Sequence, residues 1–220
     1  LLVDLPPETL VVHEIYRSIQ GESTFAGLPC VFVRLSVCQL RCRYCDTPHA
    51  FQNGQRMSLE ETITEALRLS DSLVEITGGE PLLQPSVFPL MTRLADAGRT
   101  VLLETSGSLD VKEVDPRVRI ILDIKTPGSG EVHANLWSNL GLLKPSDEVK
   151  FVVVNRADFD WSLFTIKEHA LLEKCPVLVS ASHGEVAPCE LAAWILESRL
   201  PIRYQSQLHK EIWGPTARGV

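Results

Sequence analysis

No apolar run in these 220 residues is long enough to span a bilayer, so no membrane-spanning helix is expected. Positive charge is also short. Only 21 Lys and Arg stand against 28 Asp and Glu, a formal net charge of -7, whereas a nucleic-acid surface needs a basic patch. Residues 1–10 carry acidic residues and prolines but no basic stretch ahead of an apolar one, and so do not read as a secretory signal. The expected compartment is therefore the reducing cytoplasm, where six cysteines are thiols rather than a disulfide framework. Repeats, low-complexity tracts and linkers rich in Gly, Pro or Ser are missing as well. With 45% hydrophobic residues the chain can bury one substantial core, and 1–220 reads as a single domain.

What the sequence does contain is a recurring pair: a short apolar run, then an amphipathic stretch. Strands are expected at 31–35, 73–77, 100–104, 118–124, 149–154, 176–180 and 201–204. Ser58-Leu-Glu-Glu61 is a capping box, since Ser58 can accept from the third amide while Glu61 reaches back, and it opens a helix toward Leu69. Helices are also expected at 86–97, 158–173 and 188–199, the last beginning with a proline whose missing N–H does no harm there. Strands mostly followed by helices read as βα units and a parallel sheet. Six or seven strands fall short of eight-fold closure, so the expected fold is α/β, an incomplete (β/α) barrel. The segment between Glu104 and Val118 is too short for a long helix, so one crossover should be abbreviated. In such folds chemistry gathers at the C-terminal ends of the strands.

The densest chemistry is Cys38-Gln-Leu-Arg-Cys42-Arg-Tyr-Cys45. Three thiolates so close together must converge on one metal centre or repel one another once ionised. His49 could complete a Cys3His zinc set, although common zinc modules pair their ligands as two clips across a longer loop. An iron–sulfur cube can accept three thiolates and leave one iron open for chemistry. Cys30, Cys175 and Cys189 lie among apolar residues and are expected as buried thiols. At the next strand end, Thr77-Gly-Gly-Glu-Pro81 offers two glycines that let the backbone approach a ligand, and a glutamate suited to a cationic group. Alone it is often just a turn. Two further strands end in Glu104-Thr-Ser-Gly107 and Asp123-Ile-Lys-Thr-Pro127, where Asp123 and Lys125 read either as a solvated charge pair or as ligand contacts. Arg34 alternates with Val33 and Leu35 and so shares the opposite, lumen-side face with Phe32. There it is either a bidentate grip for a carboxylate or a member of a structural ion pair. His13, His133, His169 and His183 stand in no motif.

The C-x3-C-x2-C spacing followed by the Gly-Gly-Glu-Pro strand end resembles the radical S-adenosylmethionine (SAM) superfamily. Ser18-Ile-Gln-Gly-Glu22, Asp46-Thr47 directly after the last cysteine, and Gln207-Leu-His-Lys210, Trp213-Gly214 and Arg218-Gly-Val220 are similar to the 7-carboxy-7-deazaguanine synthase family. The resemblance runs from Glu14 to Val220. It implies a [4Fe–4S] cluster on Cys38, Cys42 and Cys45, with SAM against Tyr44, Gly79 and the Asp123–Lys125 edge. It also implies a 6-carboxy-5,6,7,8-tetrahydropterin substrate held by Gln20, Gly21, Glu22, Arg34 and Thr77, and a magnesium ion (Mg2+) on the Thr47 hydroxyl. The implied activity is a lyase forming 7-carboxy-7-deazaguanine with loss of ammonia, in deazapurine (queuosine-type) biosynthesis. An electron donor such as flavodoxin or ferredoxin, a homodimer, and a C-terminus folded back with its carboxylate near the substrate follow from the same resemblance. Physical chemistry supports part of this: Glu22 matches the guanidine-like donor edge of a pterin, and magnesium prefers oxygen ligands. Two positions depart from the family pattern. Ser23 replaces the last glycine of Gln-Gly-Glu-Gly, and Asp123-Ile-Lys125 replaces a more frequent Ser-Pro-Lys. Trp213 reads as a cap on the open side of the barrel. A glycyl-radical-enzyme activase is the alternative within the superfamily, though it lacks the Gln20–Glu22 and Asp46-Thr47 motifs. A non-catalytic zinc or iron–sulfur module is the alternative outside it.

Overall fold

The computed structural model describes residues 5–69 and 71–219. Nine strands, β1 (Thr9–Ile19), β2 (Pro29–Leu35), β3 (Gln55–Ser58), β4 (Leu73–Gly78), β5 (Thr100–Thr105), β6 (Arg119–Ile124), β7 (Glu148–Val153), β8 (Val177–Ala181) and β9 (Arg203–Gln205), form one sheet in the order β3-β1-β2-β4-β5-β6-β7-β8-β9. From β2 to β9 each neighbouring pair is parallel. Those seven strands are the seven apolar runs. β3 and β9 remain edges, so the barrel is open.

The other two strands are antiparallel additions that periodicity missed. β1 reads TLVVHEIYRSI, with His13, Glu14 and Arg17 interrupting the apolar pattern. β3 has only four residues, two of them polar and exposed at its start. Pairing with β2 and β1, rather than local composition, makes these segments strands.

Helices α1 (Leu59–Arg68), α2 (Val87–Asp96), α3 (Arg156–Glu168) and α4 (Pro188–Ser198) lie between strands, and α5 (Leu208–Trp213) follows β9. The capping box at Ser58 forms as expected, with the Glu61 N–H donating to Ser58 Oγ at 3.1 Å and the Ser58 N–H donating to Glu61 at 2.8 Å. The helix expected at 158–173 is shorter and shifted. It opens on Asn155, whose side chain accepts from the Asp158 N–H, and ends before Ala170, which adopts φ 48° ahead of a separate turn at Leu171–Glu173. The β5–β6 crossover lacks a helix, as its length required. The β6–β7 crossover is likewise reduced to three 3-10 turns, Pro127–Ser129, Val132–Ala134 and Trp137–Gly141.

Alternation along the strands gives the sheet two unlike faces. Val33 and Leu35, Val74 and Ile76, Val101 and Leu103, Val149 and Phe151 point outward into one core with Ile63, Leu90, Met91, Phe159, Ile166 and Leu191 of the helices. Fully burying each such side chain contributes about 1.5–3 kcal/mol. The inner face is apolar only near the strand starts, where Cys30, Phe32, Leu73, Leu102 and Ile121 pack with Tyr16 and Phe25. Toward the strand ends it turns polar, with Arg34, Thr77, Glu104, Asp123 and Lys150. That switch from apolar floor to charged rim creates the site.

Candidate active site

A cavity of about 600 Å3 occupies the inner face at the C-terminal strand ends. Gln20, Gly21, Glu22, Arg34, Cys38, Cys42, Tyr44, Cys45, Thr47, Thr77, Gly79, Asp123 and Lys125 all line it. One space therefore collects motifs from both ends of the chain.

The cysteine loop leaves β2 through Val37, held at a positive φ of 78°. The glycines of Thr77-Gly-Gly-Glu-Pro81 have a local job there. A Cβ on Gly78 would strike the Leu35 carbonyl, and one on Gly79 would strike the Val37 carbonyl and come within 2.9 Å of the Cys38 nitrogen. Instead the Gly79 and Glu80 N–H groups donate to Leu35 O at 3.0 Å and Val37 O at 2.8 Å. The two glycines therefore let the end of β4 pack against the cysteine loop. Glu80 does not line the cavity, whereas the sequence suggested a carboxylate suited to a cationic group. It is fully buried and accepts from Thr105 Oγ1, the Ser106 N–H and hydroxyl, and the Leu82 N–H, which ties the Glu104–Gly107 segment to this loop.

Cys38, Cys42 and Cys45 are free and half-buried. Burial raises the Cys38 and Cys42 thiols, Cys42 to about 11, against the pull of nearby Lys125. Among the described residues the three sulfurs do not all lie within 4.8 Å of one another. A single zinc ion at about 2.3 Å from each sulfur would need them about 3.8 Å apart, so the donor set fits a larger, multi-iron centre better than one ion. His49 does not complete a Cys3His set; it gathers with His13 and Glu14 instead. Of the remaining cysteines, Cys30 and Cys175 are buried as expected, but Cys189 is exposed in the first turn of α4, where no strand covers it.

Asp123 and Lys125 form a charge pair of 2.9 Å, and it is buried rather than solvated. Burial pulls Lys125 down, but Asp123 and the neighbouring Tyr44 and Cys42 outweigh it and hold the ammonium above its ordinary value. Asp123 Oδ1 and the Tyr44 hydroxyl are buried without a hydrogen-bond partner. Orphaned polar atoms on a cavity wall are what a polar ligand would satisfy.

The rim holds a charge cluster whose cation, Lys150, stands in no motif. Lys150 Nζ lies 2.6 Å from Glu22 Oε2 and 2.5 Å from Glu104 Oε1. Glu22 also accepts from Gln205 at 3.0 Å and Gln207 at 2.9 Å, and Thr77 donates to Glu104 at 3.1 Å. Beneath them Gln20 donates to the fully buried Glu75 and accepts from the Glu22 N–H at 3.1 Å. Burial and the charge of Glu104 raise the Glu75 carboxyl well above its usual range, so Glu75 is the neutral acid of the group. Burial also acts to raise Glu104, but Lys150 outweighs it and keeps that carboxyl lowered and ionised. Lys150 and Glu75 were missed because each looks like an isolated charge in an apolar run. The one available signal is a charge on the lumen parity of a buried strand.

Arg34 faces the lumen, as its alternation required. Its Nε donates to Glu14 at 2.8 Å and its Nη2 to the Tyr16 hydroxyl at 2.8 Å, so the structural ion pair exists. Nη1 makes no hydrogen bond among the described residues.

A family model for the radical SAM superfamily matches residues 33–168. The chain is 48% identical over 214 residues to the 7-carboxy-7-deazaguanine synthase of Chlorobaculum tepidum, covering 96% of this chain and 97% of that protein. It is 43% identical over 224 residues to the 7-carboxy-7-deazaguanine synthase of Koribacter versatilis, covering 95% and 99%. The chain belongs to the 7-carboxy-7-deazaguanine synthase family of radical SAM proteins. Its fold is similar to the crystal structure of QueE from Escherichia coli, with a TM-score of 0.74, 21% identity, and coverage of 91% of this chain and 95% of that one. Archaeal TYW1 is similar at a TM-score of 0.58 and 13% identity, covering 76% and 70%.

Two features of this member of the 7-carboxy-7-deazaguanine synthase family follow from its tertiary structure. Ser23 sits at φ 64°, the left-handed region that favours glycine, which explains why the family pattern has glycine there. The serine is held by its N–H donating to Gln205 at 2.8 Å and its hydroxyl accepting from the Phe25 N–H at 3.1 Å. The C-terminal segment folds back over the cavity. The Leu208 N–H donates to Gly21 O at 3.0 Å, and a Cβ on Gly21 would overlap the His209 ring. Lys210 binds Asp46 at 2.8 Å and, against the opposing effect of burial, holds that carboxyl down at about 2. Gly214, Pro215, Ala217, Arg218 and Gly219 line the cavity, but Trp213 does not and is partly exposed, so the tail rather than the indole covers the opening. The terminal carboxylate of Val220 lies outside the described residues.

Proposed function

We propose that the chain is a radical SAM carbon–nitrogen lyase that converts 6-carboxy-5,6,7,8-tetrahydropterin to 7-carboxy-7-deazaguanine with loss of ammonia, in deazapurine biosynthesis. The observation that carries this reading is the convergence of Gln20–Glu22, the cysteine loop and Gln207–Lys210 on one cavity. Near-full-length identity to proteins of that name supports it.

Cys38, Cys42 and Cys45 would hold the [4Fe–4S] cluster, which when bound supplies the electron that splits SAM and so releases the fragment that takes a hydrogen atom from the substrate. Every other contribution is positional. Gly79 lets the end of β4 lie flat beside the cysteine loop, while Tyr44, Asp123 and Lys125 offer partners for the polar ends of SAM. Lys150 holds Glu22 and Glu104 in place through its two ion pairs, so that they accept from the donor edge of a pterin. Gln20 and Thr77 fix those acceptors, and Gly21 leaves room for the His209 ring. Arg34, steadied by Glu14 and Tyr16, would turn its remaining N–H groups to the substrate carboxylate. The Thr47 hydroxyl, 3.9 Å from Cys45 Sγ, would give magnesium one oxygen ligand, with water and substrate completing the shell. A flavodoxin or ferredoxin donor, a homodimer, a cytoplasmic setting and a single-domain chain belong to the same proposal. Among the described residues no helix is long and apolar enough to cross a membrane.

An anaerobic assay with the carboxytetrahydropterin, SAM and a reductant tests the reading. Turnover with ammonia release is expected, rising with added magnesium. Cys38→Ala should abolish SAM cleavage, and Thr47→Ala should lose the magnesium response while keeping SAM binding. SAM cleavage without conversion of this pterin would refute the substrate assignment. An activase acting on a polypeptide would need an open groove, whereas α5 and the tail cover this cavity.

A further inference from the structure

One trio of ligand-type side chains converges outside the assigned residues. His13, Glu14 and His49 each bring one ligand atom to within 4.8 Å of the others, and all three are partly buried. Neighbours in a regular strand point to opposite faces, so His13 and Glu14 should not share a target. The register of β1 explains why they do. Val12 pairs with Leu35 and Glu14 with Arg34, which leaves His13 as the extra residue of a β-bulge. A bulge re-aims a side chain. Here the His13 ring stands 5.1 Å from that of His49, carried by the turn Pro48–Phe51. His13 Nδ1 is buried and has no hydrogen-bond partner among the described residues, which is unfavourable unless something binds it. Glu14 gives Oε1 to Arg34, which leaves Oε2 available.

We propose that His13, Glu14 and His49 form a binding site for one divalent transition-metal ion of the zinc class. Two imidazoles and a carboxylate are donors that zinc and its neighbours take in tetrahedral sites, whereas magnesium calls for an oxygen shell. The set shares no ligand with the three thiols or with Thr47. Three protein ligands leave a fourth position for water or a ligand from the cavity, whose wall Glu14 and His49 help to form. An ion there ties β1 to the turn that follows the cysteine loop and offsets the unpaired His13 nitrogen. Magnesium dependence and zinc binding are then separate properties of neighbouring positions.

The test uses cluster-loaded protein under anaerobic conditions, so that the three thiols are already engaged. After equilibrium dialysis against zinc, iron and zinc are counted by elemental analysis. One zinc per chain beyond the cluster iron is expected. Its Kd should rise more than about tenfold in His13→Ala and in His49→Ala, since loss of a ligand weakens a site at least as much as loss of a supporting hydrogen bond. His183→Ala, which also alters the cavity wall, should leave the Kd unchanged. Cluster absorbance and melting temperature confirm that each variant is folded. X-ray absorption at the zinc edge of the wild type, which needs no variant, should show nitrogen and oxygen scatterers only. Sulfur scatterers, equal zinc affinity in His13→Ala, or no zinc retained by the wild type would each overturn the assignment.

Discussion

Lys150 makes ion pairs with both Glu22 and Glu104 on the inner sheet face, and Lys150→Met tests the charge argument for the whole rim. Its side chain is 6% exposed, with Nζ 2.6 Å from Glu22, 2.5 Å from Glu104 and 3.9 Å from Asp123. At an effective dielectric near 20 the two short contacts are each worth about 6.5 kcal/mol in gross Coulomb energy, largely offset by desolvation. Removing one partner of a buried pair while leaving the other costs about 3–5 kcal/mol. Asp123 keeps Lys125, so the loss falls on Glu22 and Glu104. The pH dependence has a definite sign. In the wild type Glu104 is lowered, so its contribution is present above its unfolded value of 4.5 and fades only as pH falls through the lower folded value. In Lys150→Met, burial without the ammonium raises Glu104, and stability is lost as pH climbs above 4.5. Urea unfolding should therefore show a deficit that grows from about pH 5 to pH 8 and reaches about 3–5 kcal/mol. Adding Glu104→Gln should recover part of it at pH 8. A deficit below about 1 kcal/mol, or one independent of pH, would mean that the cluster is solvated and the argument wrong.

Gly79→Ala should cost about 1–3 kcal/mol and lower iron occupancy after reconstitution, because its Cβ meets backbone that cannot yield; full iron loading at wild-type stability would contradict this. Ser23→Gly should change stability by no more than about 1 kcal/mol, relief at φ 64° offsetting the lost bond from Phe25, while Ser23→Val should be clearly worse in thermal melts. Glu75→Gln keeps an acceptor for Gln20 and removes an acid whose raised pKa stabilises the fold below 4.5 and loses that contribution as pH rises. Its melting temperature should match the wild type near pH 4.5 and exceed it at pH 8; an advantage confined to acid would reverse the sign assigned to Glu75.

The alternation of apolar runs and helices, the C-x3-C-x2-C spacing and the motifs at both chain ends were sufficient to place the parallel strands, the family and thirteen cavity-lining residues. These signals are local: each parallel strand needs an apolar outer face against the helices, a capping box closes within four residues, and the three thiols stand within eight residues of one loop. β1 and β3 were illegible because their strand character comes from pairing rather than composition. Glu80 read as a ligand for a cation, yet it holds Thr105 and Ser106, residues 25 and 26 positions away in sequence. Only the tertiary structure could join Lys150 to Glu22 across 128 residues, or Gln207 to Asp46 across 161. Only the bulge in β1 could turn His13 toward His49. Local sequence determines which face of each element is apolar and where the chain must turn. Which distant charges share a low-dielectric space is decided by sheet order and register, because these bring Lys150 to Glu22 and Glu104 from elements far apart in sequence.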